Sequence, residues 1–223
     1  MKLNKIPFVD LKLQYQSIKE KIDNTIQNVI NETAFIKGKY VQKFEEEFAD
    51  IYGVSNVISC ANGTDAIYIT LKALGIGPGD EVITVANTWI STSETITQAG
   101  AKPIFIDINP EYYTIDIKQI EEKITGKTKA IIPVHLFGQP AEMDEIVEIC
   151  KQYSLHLIED CAQAHFAEWK GKKVGTMGIA GTFSFFPGKN LGAYGDAGAI
   201  ISNNEEFSKK ARMYANHGAL VKH

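Results

Sequence analysis

The sequence has no excess of basic charge and no long apolar run. Its 23 lysine and arginine residues are outnumbered by 27 aspartate and glutamate residues, which gives a net charge of -4. Because nucleic acids and anionic membranes are bound through concentrated positive charge, we expect neither as a partner. No stretch approaches the roughly 18 apolar residues of a membrane span, and residues 1–7 lack the apolar core of a signal peptide. We therefore expect a cytoplasmic protein that acts on small molecules.

Cysteine is also scarce. Cys60, Cys150 and Cys161 are odd in number and form no CxxC pair, so neither a disulfide framework nor a structural zinc site is expected. Neither His135 nor His165 has a second candidate ligand at metal-binding spacing, and we predict no metal. Both histidines fall near predicted strand ends, where each would either face a substrate or satisfy backbone groups.

Helix and strand patterns follow one another along the 223 residues. Apolar residues at helical spacing predict two amphipathic covering helices, at 18–30 and 41–51. From residue 56 onward, apolar strands alternate with helices, which predicts an α/β fold with a mainly parallel sheet covered on both faces. The predicted strands are 57–60, 81–85, 103–107, 130–134, 155–159, 181–185 and 199–202, and the predicted helices are 64–74, 91–98, 117–124, 143–153 and 205–214.

Ligands of such sheets bind at the carboxyl ends of the strands. No GxGxxG turn follows the first strand, which disfavours a nucleotide-binding dehydrogenase.

The most informative segment is 184–192, Ser-Phe-Phe-Pro-Gly-Lys-Asn-Leu-Gly. A lysine is most often a solvated surface charge, but Lys189 lies among apolar and glycine residues. An apolar setting lowers the pKa of an amine and favours the neutral nucleophile that forms a Schiff base. Lys189 is therefore the candidate residue to bind pyridoxal 5′-phosphate.

Two more candidates lie at the end of the predicted strand 155–159. Asp160 would be costly to bury without a partner, and a protonated pyridine nitrogen would be such a partner. Gln163 would reach the phenolic O3′ of the same ring. The alternatives are an aspartate that caps a turn or helix and a glutamine that satisfies loop backbone groups.

Four residues are candidates for the phosphate and the ring face. Gly63 and Thr64 lie where a strand turns into a helix, whose free N–H groups favour an anion, and Ser184 offers a hydroxyl. Trp89, after strand 81–85, is suited to stack on the ring. The alternatives are an ordinary turn with a threonine cap, a polar strand residue and a tryptophan that fills the core.

Four motifs, in this order, resemble those of the sugar aminotransferases of the DegT/DnrJ/EryC1/StrS family. They are 62–66 (NGTDA), 159–165 (EDCAQAH), 184–192 (SFFPGKNLG) and 195–198 (GDAG). The resemblance implies a fold of the aspartate-aminotransferase type, fold type I of the pyridoxal phosphate enzymes, with a seven-stranded sheet. It also implies homodimers whose active sites lie at the subunit interface.

The resemblance implies a role for each candidate. Lys189 would form the Schiff base, Asp160 would pair with the pyridine nitrogen, and Gln163 would bond O3′. Trp89 would stack on the ring, while Gly63, Thr64 and Ser184 would hold the phosphate. We interpret residues 1–223 as arm helices and the large cofactor-binding domain, a fragment of a longer chain without the small C-terminal domain of the family and its part of the site.

The implied activity is transfer of an amino group from L-glutamate to a nucleotide-linked ketosugar, in deoxyamino-sugar and glycan biosynthesis. Residues 195–198, 133–140 (PVHLFGQP) and 8–15 (FVDLKLQY) look most like the members that aminate C3 of dTDP-3-keto-6-deoxyhexoses. The alternatives are C4 amination, a catalytically silent sugar-nucleotide sensor, and a sugar dehydratase. Lys189 argues against the dehydratase, because such relatives carry histidine at that position.

Overall fold

The computed structural model describes residues 6–220. The chain divides into two compact units, one up to Phe44 and one from Glu45 onward. Within residues 6–220, no helix combines the length and the apolar character of a membrane span. Residues 1–5 and 221–223, which bear on the predictions about a signal peptide and about the end of the chain, lie outside the described residues.

The first unit contains α1 (Leu11–Asn31) and the start of α2 (Lys39–Tyr52). Asp10 caps α1, because its side chain accepts a hydrogen bond from the Leu13 N–H at 2.9 Å. No residue of α1 is buried in the described structure; of its predicted apolar side, Ile18, Ile26 and Ile30 are exposed, and Ile22 and Val29 are half-buried.

The second unit is built on seven strands in one sheet. Its strands and helices in chain order are β1 (Asn56–Cys60), α3 (Gly63–Ala73), β2 (Glu81–Val85), α4 (Ser91–Ala99), β3 (Lys102–Ile106), α5 (Ile120–Lys123), β4 (Thr128–Ile132), α6 (Met143–Gln152), β5 (His156–Asp160), β6 (Glu168–Trp169), β7 (Lys172–Lys173), β8 (Ala180–Ser184), β9 (Gly198–Ser202) and α7 (Glu205–Tyr214). The sheet order is β1-β9-β8-β5-β4-β2-β3. Only β9 pairs antiparallel with its neighbours, so the mainly parallel sheet is confirmed.

Neighbouring residues of the central strands enter cores on opposite faces of the sheet. In β5, Leu157 packs in the core that contains Met143 and Ile146 of α6, whereas Ile158 packs in the core that contains Ile67 of α3. Each fully buried isoleucine of these cores contributes about 2 kcal/mol through removal from water. Helices therefore cover both faces, as the sequence predicts.

The structure differs from the prediction in several segments. α1 begins at Leu11 and not near residue 18, and the 3₁₀ turn Leu136–Gly138 was not predicted. Residues 117–124 form a 3₁₀ turn, Ile117–Gln119, followed by the four-residue α5, and not one helix. The hairpin of β6 and β7 was not predicted. Its turn has two consecutive residues of positive φ, Lys170 at 49° and Gly171 at 79°. Each of its strands has only two residues, which is too short to show an alternating apolar pattern in the sequence.

The Glu159 side chain, fully buried near the end of β5, holds a neighbouring loop. Its Oε1 accepts hydrogen bonds from the N–H groups of Met177 and Gly178, at 2.7 and 2.8 Å. Its Oε2 accepts one from the Gly175 N–H at 2.7 Å. This carboxylate therefore satisfies three backbone donors, of which the Gly175 N–H is buried and the other two are partly buried.

His135 belongs to the same buried cluster. The Ala141 N–H donates to His135 Nδ1 at 3.1 Å, so Nε2 carries the proton and donates to Glu159 Oε2 at 3.3 Å. Both ring nitrogens are thus engaged and the residue is fully buried, which supports the backbone role over a substrate-facing one. His135, Glu159 and Cys161 place possible ligand atoms within 4.8 Å of one another, a grouping that their spacing in the sequence did not indicate. The absence of a metal stays a prediction.

Candidate active site

The predicted site residues lie along one edge of the sheet. Asp160 and Ser184 are the last residues of the neighbouring parallel strands β5 and β8, and Gly63 begins α3 just after β1. Thr92, in the first turn of α4, follows β2. Carboxyl ends of parallel strands meet at one edge, which is where α/β sheets bind their ligands.

Asp160 is a buried carboxylate held by two neutral donors. The Thr92 hydroxyl donates to Oδ2 at 2.9 Å, and the Ala162 N–H donates to Oδ1 at 3.1 Å. Burial raises the pKa of Asp160, while these two donors and the nearby charge of Lys189 oppose that rise. A cationic N–H would be a strong partner at this position.

Lys189 is half-buried in the loop after β8. Its backbone N–H donates to the Phe186 carbonyl at 2.8 Å, which closes a tight turn. Burial lowers the pKa of the Lys189 amine, and the charge of Asp160 only partly reverses that change. The neutral, nucleophilic form of the amine is therefore more abundant near neutral pH than for a solvated lysine.

The Gln163 amide is oriented by an unusual backbone. Its Oε1 accepts a hydrogen bond from the Phe137 N–H at 3.0 Å, so Nε2 is the end that can donate to a phenolic oxygen. Phe137 has φ 53°, a left-handed conformation that is costly for an aromatic residue. Gln163 thus satisfies a loop backbone group, as the alternative interpretation expected. The same hydrogen bond also fixes which end of the side-chain amide faces the site.

The start of α3 is pressed against the end of β8. A Cβ on Gly63 would lie 2.5 Å from the Ser184 Cβ, so only glycine allows this approach. The Thr64 and Ser91 hydroxyls are 2.7 Å apart. The helix cap is Asn62, whose side chain accepts from the Asp65 N–H at 2.8 Å, so the alternative of Thr64 as the cap is wrong.

Trp89 precedes α4 and is 72% exposed. The alternative that it fills the core is therefore wrong. An exposed indole at the edge that carries Asp160 remains available to stack on a planar ligand, and its stacking role stays a prediction.

The family model described as the DegT/DnrJ/EryC1/StrS aminotransferase family matches residues 16–223.

The chain belongs to the DegT/DnrJ/EryC1/StrS aminotransferase family.

Three similar proteins illustrate its place there. A pleiotropic regulatory protein of Geobacillus stearothermophilus is 49% identical over 98% of this chain and 59% of its own length. A UDP-2-acetamido-2-deoxy-3-oxo-D-glucuronate aminotransferase of Pseudomonas aeruginosa is 47% identical over 96% of this chain and 59% of its own. The crystal structure of S. venezuelae DesV with a ketimine intermediate superposes with a TM-score of 0.95 at 37% identity, covering 99% of this chain and 59% of that one. This chain thus spans 59% of the length of these proteins.

The DegT/DnrJ/EryC1/StrS family depends on pyridoxal phosphate, and the residues present here fit that group. The buried Asp160 carboxylate has two neutral donors and would gain a cationic one from a protonated pyridine. The N-terminal N–H groups of α3, beside the hydroxyls of Thr64, Ser91 and Ser184, suit a phosphate. Lys189 supplies an amine with a lowered pKa.

Three residues of this site were not singled out from the sequence. Thr92 donates to Asp160, Ser91 meets Thr64, and Asn190 bonds His165. The run 88–92 is rich in hydroxyl side chains, which is a signal for the first two, and the Thr88 and Thr92 hydroxyls lie 2.9 Å apart although Thr88 precedes α4. Nothing in the sequence singles out Asn190.

Removing the Thr92 hydroxyl should weaken the hold on the cofactor. In the full-length protein, Thr92→Val takes one hydrogen bond from the Asp160 carboxylate and raises its pKa further. The carboxylate form of Asp160 pairs with the pyridinium, so affinity for pyridoxal phosphate falls as the pH drops through the Asp160 pKa. In the variant, with its higher Asp160 pKa, this fall should begin at a higher pH.

We expect about 10-fold weaker binding of pyridoxal phosphate by Thr92→Val in a fluorescence titration. Thr70→Val, which removes an equally buried hydroxyl bonded to the Ala66 carbonyl, should bind like wild type. Equal pH profiles for both variants would contradict this role of Thr92.

A methyl group at position 63 should damage the phosphate site. Gly63→Ala forces the start of α3 away from Ser184, so we expect about 10-fold or greater loss of affinity for pyridoxal phosphate, and a smaller loss for pyridoxal, which lacks the phosphate. Gly126→Ala is the matched control, because its Cβ would meet nothing within 4 Å. Equal losses for the two ligands would show that residue 63 does not act through the phosphate.

Proposed function

We propose that this chain is the cofactor-binding part of an aminotransferase that moves an amino group from L-glutamate to a nucleotide-linked ketosugar. The observation that carries the proposal is the convergence of a buried carboxylate, Asp160, and an amine of lowered pKa, Lys189, at one sheet edge. Asp160 is costly to bury without a cationic partner, the half-buried Lys189 amine is a nucleophile of lowered pKa, and pyridoxal phosphate would bind to both.

The residues would divide the work by position on the cofactor. Asp160 would keep the pyridine nitrogen protonated, Gln163 Nε2 would donate to O3′, and Trp89 would cover one ring face and exclude water. Gly63, Thr64 and Ser184 would hold the phosphate. The bound cofactor would supply an electron sink for the carbon from which a proton is removed.

Lys189 would have two roles in turn. Its neutral amine would hold the cofactor at C4′, and the amine, when free, would be the group that takes a proton from the glutamate Cα. Glutamate would leave as 2-oxoglutarate, and the proton transfer in the reverse direction would complete the amino sugar. The reaction balances, since one amine and one carbonyl exchange places.

The finer proposal is amination at C3 of a dTDP-3-keto-6-deoxyhexose. The C3 position is supported by the likeness of residues 195–198 to C3-aminating members and by the 3-oxo sugar, there UDP-linked, in the name of the Pseudomonas aeruginosa relative. We further propose a cytoplasmic homodimer, with residues 1–223 supplying the arm helices and the large domain of a longer chain. Exposed apolar side chains near the site, Trp89 and Phe186, suit such an interface.

The proposal is tested with full-length protein and a panel of ketosugars that differ in nucleotide, dTDP or UDP, and in carbonyl position, C3 or C4. We expect the absorbance of bound pyridoxal phosphate to bleach on addition of glutamate and a 3-amino sugar to appear by mass spectrometry. Lys189→Ala should abolish both signals, whereas Lys172→Ala, an exposed lysine, should keep them.

The outcomes separate the alternatives. A 4-amino product would contradict amination at C3, but it would still support the proposed aminotransferase activity. Bound cofactor that never bleaches with glutamate, with a sugar nucleotide still bound, would favour the silent sensor, a reading consistent with the regulatory name of the Geobacillus stearothermophilus relative. Turnover by Lys189→Ala would overturn the assignment.

A further inference from the structure

His165 and Asn190 are joined by two hydrogen bonds in opposite directions. His165 Nδ1 lies 2.7 Å from Asn190 Oδ1, and Asn190 Nδ2 donates to the His165 carbonyl at 3.4 Å. Because an amide oxygen only accepts, Nδ1 must carry the proton. The two residues lie 25 positions apart in the sequence, one after Gln163 and one directly after Lys189.

The other imidazole nitrogen makes no hydrogen bond of normal geometry within residues 6–220, although the Ser184 carbonyl lies close to the ring. His165 is 6% exposed, and its Nε2 is buried without a hydrogen bond among the described residues. The ring packs against Phe183 and Phe185, with centroids 5.4 and 5.2 Å away. A phenylalanine would suit this apolar site without leaving a buried nitrogen unsatisfied, so the imidazole is kept at a cost in stability. That cost points to a use for the Nδ1 donor.

Burial also favours the neutral form of the imidazole. Burial lowers the pKa of His165, and the charge of Lys189 acts in the same direction, against the opposing effects of Asn190 and of the Ser184 carbonyl. A neutral ring that donates from Nδ1 can hold Asn190 without adding a positive charge beside the Lys189 amine.

The need for such a contact follows from the rigid ring of the cofactor. Asp160 and Gln163 would bind its nitrogen and O3′ from the segment after β5, whereas Lys189 would bind C4′ from the loop after β8. The pairing of β5 with β8 ends at Asp160 opposite Thr182, and the Cys161 N–H still donates to the Thr182 carbonyl at 2.9 Å, so the strand pairing does not reach Gln163 or Lys189. Their separation must still match the fixed distances within one ring.

We propose that His165 and Asn190 form a clip that holds the Lys189 loop in register with the Asp160–Gln163 segment, so that the amine is positioned for C4′ before the cofactor binds. The proposal rests on the function proposed above. His165 and Asn190 are positioning residues, since they act through Lys189 and through the segment that carries Asp160.

The clip is tested by two His165 variants with opposite defects, made in the full-length apoprotein. His165→Phe keeps the ring packing and loses the Nδ1 donor, whereas His165→Asn loses the ring and places an amide N–H close to the position of Nδ1. We expect His165→Phe to keep or raise the unfolding temperature and to form the covalent bond with pyridoxal phosphate about 10- to 100-fold more slowly in stopped flow. His165→Asn should unfold at lower temperature and react within a few-fold of wild type. A purely structural histidine would instead give losses of rate that follow losses of stability.

Asn190→Ala provides a second route to the same contact, because Asn190 is exposed and its truncation removes little packing. It should slow bond formation as much as His165→Phe does, and the double variant should be no slower than either single one. Affinity for pyridoxamine phosphate, which forms no bond with Lys189, should change less than about threefold in all variants, since each substitution removes hydrogen bonds within the clip and none to the cofactor.

The outcomes distinguish the clip from the function on which it rests. If wild type forms no covalent bond with pyridoxal phosphate, the proposed function fails. If wild type forms the bond and Asn190→Ala or His165→Phe matches its rate, the clip is overturned and the function stands. Slow reaction of a folded His165→Asn would also overturn the clip, because the restored donor would then have no effect.

Discussion

Two neighbouring carboxylates at the end of β5 determine much of the rest of the structure. Successive residues of a strand point to opposite faces, so Glu159 and Asp160 enter different environments although only one peptide bond separates them. Glu159 receives three backbone N–H groups and the His135 ring, which saturates both of its oxygens. Asp160 receives the Thr92 hydroxyl and one N–H, and its pKa is raised by burial. One carboxylate therefore fixes the loop 175–178, and the other is left able to take a cationic ligand.

The other parts of the site are positioned relative to this strand end. The neighbouring β8 ends at Ser184, against which Gly63 packs, and continues into the loop of Lys189. A phosphate site, a buried acid and a nucleophilic amine are thereby held at separations set by the sheet. The bonds between His165 and Asn190 extend that control past the last paired residues, into the loop where an error of an ångström would matter most.

Much of this could be predicted from the sequence, since strand periods, glycine turns and an apolar lysine loop are local signals. The strands agree within one or two residues, and Asp160, Ser184 and Gly63 lie at one edge as the parallel sheet requires. Thr92 and Asn190 could not be predicted with roles, because their partners are 68 and 25 residues away and depend on tertiary packing. The exposure of Trp89 was also undetermined, because a tryptophan suits a core and a ligand face equally well.

The division of labour between the two carboxylates is tested most directly by Glu159→Gln and Asp160→Asn in the full-length protein, with unfolding free energy and pyridoxal phosphate affinity measured for both. In Glu159→Gln, the amide N–H2 replaces one acceptor oxygen and faces groups that are themselves hydrogen-bond donors. This substitution should lower the free energy of unfolding by about 3 kcal/mol. Asp160→Asn keeps an acceptor for the Ala162 N–H and should retain wild-type stability, yet bind the cofactor about 10- to 100-fold more weakly. A stable Glu159→Gln variant, or an Asp160→Asn variant with wild-type affinity, would contradict the account.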